Sequence, residues 1–202
     1  MSIDLTALPP KTRYKLLTAV VLPRPIAWVT TISRAGVVNA APFSFFNVFG
    51  QDPALVVLGL EHHADGRMKD TTRNIRETGE FVINIVSEAM LEPMVNSAAS
   101  VGPDVSEPER LGLAMAPSTH VAPPRLTDAP AALEGRRTVG LSFSAEREIL
   151  VGEALALYAR DGLVDHDSWR VDWAGDYPVA RLFADRYARL QEISRHKIPP
   201  EI

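Results

Sequence analysis

The sequence predicts a mainly β fold, in which an antiparallel barrel or sandwich carries a few helices packed at one end. About six or seven short segments have the residue pattern of strands, most are joined by short turns, and few helical segments interrupt them. A doubly wound α/β fold is disfavoured because it needs a helix between nearly every pair of strands. The chain of 202 residues suits a single domain spanning residues 1–202.

The first strands follow a short N-terminal helix. The proline pair at residues 9–10 is expected to block helix formation, and apolar spacing over residues 14–21 then predicts a helix. Residues 26–32 are rich in β-branched and aromatic side chains, which favours a strand. Residues 33–36 end in a turn-forming glycine and residues 37–41 are again extended, so an antiparallel hairpin is expected.

The middle of the chain continues with a strand, a helix and a further strand. Residues 54–60 are apolar throughout, which predicts a strand covered on both faces. Asp70 is expected to cap a helix over residues 71–78, and Gly79 is expected to end it. Residues 81–86 then alternate as a strand does.

A second helix is predicted over residues 87–98, with Ser87 as its cap and a kink or shortening at Pro93. Residues 100–130 are rich in proline, serine and glycine, which indicates a long surface loop. Residues 131–144 and 149–160 alternate like a final pair of strands.

The amino-acid composition excludes several classes of function. The chain has no cysteine, which excludes disulfides, thiolate nucleophiles and cysteine-ligated zinc or iron–sulfur sites. Its formal net charge of −4 argues against general nucleic-acid binding. No apolar run approaches the ~18 residues of a membrane span, and the N-terminus lacks signal-peptide features. A cytoplasmic protein that binds neither nucleic acid nor membrane is therefore expected.

Residues 66–74, GRMKDTTRN, form the first candidate binding segment. Arg67 and Lys69 supply cations, Thr71 supplies a hydroxyl, and the free N–H groups of a helix N-terminus favour an anion. An ordinary capped surface helix is the alternative interpretation of the same residues.

Residues 39–47, NAAPFSFFN, form the second candidate segment. Its three phenylalanines offer an apolar platform, while Ser44 and Asn47 offer hydrogen bonds toward the edge of a flat heteroaromatic ring. Core packing of the phenylalanines is the alternative, because alternate side chains of a strand point inward.

No metal site and no catalytic side chain are predicted. Adjacent side chains of an extended chain point to opposite sides, so His62 and His63 are not expected to share an ion. The same reasoning applies to residues 165–167, Asp-His-Asp. The chain has no Gly-x-Ser-x-Gly elbow, no Walker-type loop and no Gly-x-Gly-x-x-Gly fingerprint.

Most of the chain, in order, resembles the flavin reductase-like, FMN-binding split-barrel family. The resemblance lies in four segments, residues 24–60, 65–88, 111–134 and 151–157. It implies an antiparallel split β-barrel of Greek-key type and a homodimer with FMN near the dimer interface. The residues that match the family's cofactor-binding segments are Thr30, Thr31, Ser44, Phe45, Phe46, Asn47, Arg67, Lys69, Asp70, Thr71 and Asn74.

The resemblance also implies an oxidoreductase. Members of the family include NAD(P)H:flavin oxidoreductases, reductase partners of two-component monooxygenases, and flavoredoxin-like electron carriers. A flavin reductase that takes electrons from NADH or NADPH and passes them to free flavin or another acceptor is expected. An electron-transfer protein and an FMN-binding module without turnover are the alternatives, and a monooxygenase or electron-transfer protein is the expected protein partner.

The C-terminus departs from the family pattern. Relatives often follow an Arg-Leu pair with Gly-Gly, whereas residues 183–184 here are Phe-Ala. An irregular tail over residues 175–202 is expected, although the spacing over residues 179–193 also allows an amphipathic helix.

Overall fold

The computed structural model describes residues 1–63 and 65–199 of the chain. It contains four α-helices, a 3₁₀ turn at Glu88–Met90, and strands of two to fourteen residues. The helices are α1 (Pro10–Val20), α2 (Asp70–Thr78), α3 (Leu91–Ser97) and α4 (Glu107–Arg110). The strands are β1 (Ala27–Ile32), β2 (Val38–Phe43), β3 (Phe46–Val48), β4 (Leu55–Glu61), β5 (Glu80–Ile85), β6 (Met115–Ala116), β7 (Arg125–Leu126), β8 (Ala131–Ser144), β9 (Arg147–Ala159), β10 (Val164–Asp165), β11 (Arg170–Val171), β12 (Ala180–Arg181) and β13 (Tyr187–Ala188).

Seven of these strands form one antiparallel sheet in the order β2-β1-β5-β8-β9-β4-β3. Two hairpins, β1 with β2 and β8 with β9, supply four of the strands. Strand β5 inserts between β1 and β8, and β4 pairs with β9, so segments distant in sequence meet in the sheet. The sheet curls into a half-barrel, which confirms the predicted antiparallel β class.

Strand β1 is buried on both faces and separates two apolar cores. Val29 lies on one face and packs with Phe81 of β5 and Ile75 of α2. Trp28 lies on the other face and packs with Met94 of α3. The side chains of one central strand therefore fix both α2 and α3 against the sheet.

The ring of Phe81 lies over two glycines of neighbouring strands. A Cβ atom at Gly135 of β8 would fall 2.5 Å from the ring, and one at Gly152 of β9 would fall 2.6 Å from it. A side chain at either position would therefore clash with the ring. Because both residues are glycine, the sheet can close over a large aromatic residue.

Two helices begin differently from the prediction. Pro10 is the first residue of α1 and does not block it, because a first-turn residue needs no N–H for the helix. Asp70 is the first residue of α2 and not its cap, since Lys69 holds the cap position. Asp70 instead accepts a hydrogen bond from Arg73 at 2.5 Å. Gly79 ends α2 with φ of 79°, as predicted.

Other local differences concern burial and helix type. The helix predicted over residues 87–98 is a 3₁₀ turn followed by α3, and the Ser87 side chain makes no cap bond. Strand β4 alternates between buried and half-buried residues, so the prediction that both of its faces are covered is wrong. Residues 100–130 are mostly loop, with α4, β6 and β7 within them.

The C-terminal segment forms a short β12–β13 hairpin, so the helix allowed over residues 179–193 is wrong. The backbone groups of Arg24 and Arg181 exchange two hydrogen bonds, which draws the segment into an extended form. The last three residues of the predicted tail, 175–202, lie outside the described residues. None of the helices described in the chain has the length and apolar character needed to cross a membrane.

Candidate functional site

The N-terminus of α2 is the first part of the candidate site. The cap residue Lys69 makes no side-chain cap bond, and the first N–H groups of any helix lack partners within it. The Lys69 side chain is half-exposed and lies 3.7 Å from a Glu61 carboxylate oxygen. An anion placed here meets unpaired N–H donors, the positive end of the helix dipole and an ammonium group.

Two buried hydrogen bonds dock α2 on the β1–β2 hairpin. Asn39 of β2 donates to the Thr71 hydroxyl at 2.9 Å, and Asn74 donates to the Thr31 hydroxyl at 3.1 Å. All four side chains are buried. The predicted site residues Thr31, Thr71 and Asn74 are therefore brought together in one polar layer.

The helix N-terminus opens into a cavity of about 340 Å³, called here the helix cleft. Strand β2, the start of α2, the segment after α3 and the start of α4 form its walls. The lining residues are Asn39, Ala41, Pro42, Phe43, His63, Lys69, Asp70, Thr71, Ser97, Ala98, Ala99, Ser100, Val101 and Glu107.

A second cavity, of about 400 Å³, adjoins the first and is called here the aromatic groove. Pro42, Phe43 and Ala98 line both cavities, so the two form one elongated recess. The remaining residues that line the groove are Tyr14, Ile26, Ser44, Met94, Val95, Arg181, Asp185 and Tyr187.

The predicted ring-binding segment divides between the groove and the sheet. Ser44 lines the groove, and the Phe45 ring lies at its edge with its centroid 6.0 Å from that of Tyr14. Phe43 and Phe46 both pack against the core, as the alternative interpretation expects for at least one phenylalanine, and Asn47 is exposed on β3. Only part of this segment therefore faces the recess.

Four of the predicted residues, Ser44, Lys69, Asp70 and Thr71, line the recess, and Thr30 and Arg67 are among those that do not. Thr30 points to the opposite face of β1 from Thr31 and donates to the Pro124 carbonyl at 2.6 Å. Arg67 is exposed and pairs with Asp65 at 2.7 Å. His62 and His63 also separate: His63 lines the helix cleft, whereas buried His62 lies 2.9 Å from the Ala145 carbonyl.

Several lining residues were not among those predicted from sequence. Asn39 lay in a candidate segment but was not singled out, and its buried bond to Thr71 depends on a residue 32 positions away. Ala98 and Glu107 come from segments with no chemical motif. No local signal could have found them, because the sheet and α3 bring them to the cleft.

Glu107 is a buried carboxylate in the wall of the helix cleft. Its Oε2 atom accepts a hydrogen bond at 3.1 Å from the Ala40 N–H of the edge strand β2. Burial raises the pKa of Glu107, and the neighbouring Asp70 carboxylate acts in the same direction. The cleft therefore holds a carboxyl group that resists ionisation near its cationic rim.

The donor set and dimensions of the recess fit an FMN molecule. A helix N-terminus with Lys69 suits a phosphate, and an apolar groove with a few polar groups suits a flat ring. The two volumes, about 340 and 400 Å³, together lie within the usual range for ligand sites, about 300–1,000 Å³.

Comparison with known proteins identifies the family. The family described as flavin reductase like domain matches residues 19–178. The chain belongs to this family, and its fold is the split barrel.

Particular relatives cover nearly the whole chain. An uncharacterized protein of Deinococcus radiodurans is 42% identical over 185 residues, which span 89% of this chain and 81% of the relative. The structure of 2-nitrobenzoate 2-nitroreductase NbaA from Pseudomonas fluorescens is similar with a TM-score of 0.89 and 38% identity, covering 98% of this chain and 96% of that one. Nitrilotriacetate monooxygenase component B from Bacillus cereus has a TM-score of 0.90 and 31% identity, covering 97% and 98%.

The protonation of Glu107 provides a test of the cleft wall. The Glu107→Gln variant keeps an oxygen for the Ala40 N–H but removes the titrating group. Because the folded-state pKa is raised, the stabilising contribution of wild-type Glu107 is present at acid pH and is lost as pH rises through that pKa. Urea unfolding should show the variant gaining stability relative to wild type as pH rises above about 4, the ordinary range of a glutamate carboxyl.

Glu134→Gln is the matched control, with the opposite sign. Burial acts to raise the pKa of Glu134, but hydrogen bonds from Thr119 and His120 outweigh it and lower the pKa. The stabilising contribution of ionised Glu134 is present above the ordinary pKa range of a glutamate and is lost as pH falls. The Glu134→Gln variant should therefore lose stability relative to wild type as pH rises. If the free energy of unfolding followed parallel pH curves in wild type and Glu107→Gln, the result would contradict the raised pKa of Glu107.

Proposed function

We propose that this protein binds FMN in the recess and acts as an NAD(P)H-dependent flavin reductase, passing electrons to free flavin or another acceptor. The observation that carries the proposal is the continuity of the helix cleft and the aromatic groove through Pro42, Phe43 and Ala98. A recess with an anion site at one end and aromatic walls at the other matches a ligand with a phosphate and a flat ring.

The chain's own residues bind and orient. Lys69 and the first N–H groups of α2 hold the phosphate, and the Thr71 hydroxyl, fixed by Asn39, adds a polar contact. Tyr14 and Phe43 flank the ring, while Ser44 offers a hydrogen bond at its edge.

FMN, when bound, supplies the redox chemistry by accepting a hydride from the nicotinamide and giving up two electrons to the acceptor. The protein therefore needs no acid, base or nucleophile of its own for this step. Its task is to hold the ring so that a nicotinamide can stack within reach. Tyr14, at the rim of the groove, is 49% exposed, which supports access from solvent.

Two relatives bear on the acceptor. One neighbour at 38% identity is a 2-nitrobenzoate nitroreductase, which favours a small organic acceptor. Another at 31% identity is a monooxygenase component B, which favours free flavin and a monooxygenase partner. An electron carrier that never binds a nicotinamide, or a module without turnover, would share the recess but not the reaction.

A homodimer is part of the proposal, and an apolar patch on the outer sheet face supports it. Leu141, Ile149 and Gly59 are directly paired on β8, β9 and β4, and Phe45 packs over Gly59. Side chains paired across strands share a face. The patch is half-exposed in the single chain and borders the aromatic groove through Phe45.

This patch predicts the oligomeric state. Sedimentation velocity at micromolar concentration should give one species of twice the chain mass, and Leu141→Glu should shift it toward monomer because burying an unpaired carboxylate is costly. Val105→Glu is the control, since Val105 is an equally exposed apolar residue away from the patch. A monomeric wild type with FMN bound would contradict the dimer.

The phosphate contact predicts the effect of Lys69→Ala. A charge-assisted bond contributes roughly 1.5–3 kcal/mol, so FMN affinity should fall about tenfold or more. Riboflavin lacks the phosphate and should bind the variant as it binds wild type. Flavin fluorescence titration measures both affinities. Arg34→Ala, which removes an exposed cation paired with Glu77, should change neither, and equal loss of FMN and riboflavin in Lys69→Ala would refute the contact.

The reaction itself predicts direct reduction by a nicotinamide. Anaerobic mixing of the FMN-loaded protein with NADH or NADPH in a stopped-flow spectrophotometer should bleach the flavin within seconds. Dithionite supplies the control, because it reduces bound flavin without a nicotinamide site. Flavin that stays oxidised for minutes under both nicotinamides, yet bleaches with dithionite, would favour the electron-carrier alternative.

A further inference from the structure

Two arginines lie side by side at the end of the aromatic groove away from α2. Arg24 and Arg181 exchange backbone hydrogen bonds of 3.1 and 2.9 Å, and the Arg181 side chain lines the groove. Among the residues that the structure describes, no carboxylate forms an ion pair with either guanidinium. Asp185 lines the groove together with Arg181, whereas Arg24 is buried behind it.

Arg24 is a buried cation whose hydrogen-bond partners are neutral. The residue is 7% exposed, and its guanidinium donates to the carbonyls of Thr18 at 2.5 Å, Val21 at 3.1 Å and Leu182 at 2.5 Å. Its Nε atom has no hydrogen-bond partner among the residues that the structure describes. Burial lowers the pKa of Arg24, and the charge of Arg181 acts in the same direction, yet an arginine stays protonated in proteins. A positive charge therefore persists here without an anion.

Within the described residues, the Arg181 guanidinium uses only some of its N–H donors. It donates to the Tyr187 hydroxyl and the Ala184 carbonyl, and its guanidinium carbon lies 4.6 Å from the centre of the Tyr187 ring. A guanidinium carries five N–H donors, so three remain for a ligand. Its planar fork matches a carboxylate in two parallel hydrogen bonds.

We propose that the arginine end of the aromatic groove is a binding subsite for a small aromatic carboxylate. Arg181 contacts the carboxylate, and the ring of Tyr187 lies against the aromatic part, beside the flavin ring that Tyr14 and Phe43 flank. Arg24 is a positioning residue, because it ties the β12–β13 hairpin to the end of α1 and adds its uncompensated charge. The inference rests on the proposed function, since it assigns the acceptor's chemical class to the same recess.

Benzoate and benzamide test this subsite, because they share a ring and size but differ in charge. Isothermal titration of the oxidised, FMN-loaded protein should show benzoate binding about tenfold more tightly than benzamide. Arg181→Gln should abolish the difference, and Arg181→Lys should retain part of it. Arg186→Gln, which removes a neighbouring exposed arginine outside the groove, should leave the preference unchanged.

Arg24→Met tests the positioning role. The benzoate preference should fall while the affinities for FMN and benzamide stay near their wild-type values. A purely structural role would lower all three together and would overturn the assignment. If Arg24→Met does not fold, Arg181→Gln and Arg181→Lys still decide the subsite, because their side chain faces the groove.

Failure of this inference is separable from failure of the proposed function. A protein that takes up no FMN contradicts the proposed function, and titrating the same flavin-free chain with both probes then tests the subsite alone. Equal binding of benzoate and benzamide, or binding of neither, overturns the subsite even when FMN is bound. An Arg181→Gln variant that loses FMN affinity but keeps the benzoate preference overturns it as well.

Discussion

The docking of α2 on the β1–β2 hairpin is the constraint on which the recess depends. It is made by two buried side-chain hydrogen bonds, Asn39 to Thr71 and Asn74 to Thr31. A buried polar group left without its partner is costly, so each pair favours one placement of the helix. That placement points the helix N-terminus into the space beside β2. Without it, Lys69 would be one more cation on a solvated surface.

The opposite face of β1 carries a second polar layer that fixes the long loop before β8. Thr30 donates to the Pro124 carbonyl, and Asn84 of β5 accepts from the Leu126 N–H at 2.8 Å. Glu134 of β8 accepts from the N–H groups of Thr119 and His120. Side-chain hydrogen bonds therefore hold the loop in place of most of the backbone hydrogen bonds that strand pairing would supply. The hydrogen bond to Pro124 therefore gives Thr30 a structural role that needs no ligand.

Sequence reasoning succeeded where the signal is local. The bounds of β8 match the predicted strand over residues 131–144, and Gly79 ends α2 as its conformational freedom allows. It failed where pairing between segments decides the outcome: residues 180–181 pair with β13 and Arg181 also bridges to Arg24, although the spacing of this stretch also allowed a helix. Ala98 and Glu107, which line the cleft, were missed for the same reason. The residues around them in the sequence do not indicate which distant segments they contact.

Charge divides the recess into two unlike ends. At the α2 end, Lys69 lies near Glu61, and Glu107 adds a further carboxyl group to the cleft wall. At the other end, the side-chain hydrogen bonds that Arg24 and Arg181 make to described residues go to carbonyl and phenol oxygens. A ligand phosphate at α2 therefore competes with carboxylates already present, so backbone N–H groups and the helix dipole must contribute much of its binding. At the arginine end Asp185 lines the groove but forms no ion pair with Arg24 or Arg181 within the described residues, and burial strengthens the field there because low-polarity surroundings screen charge less than water does.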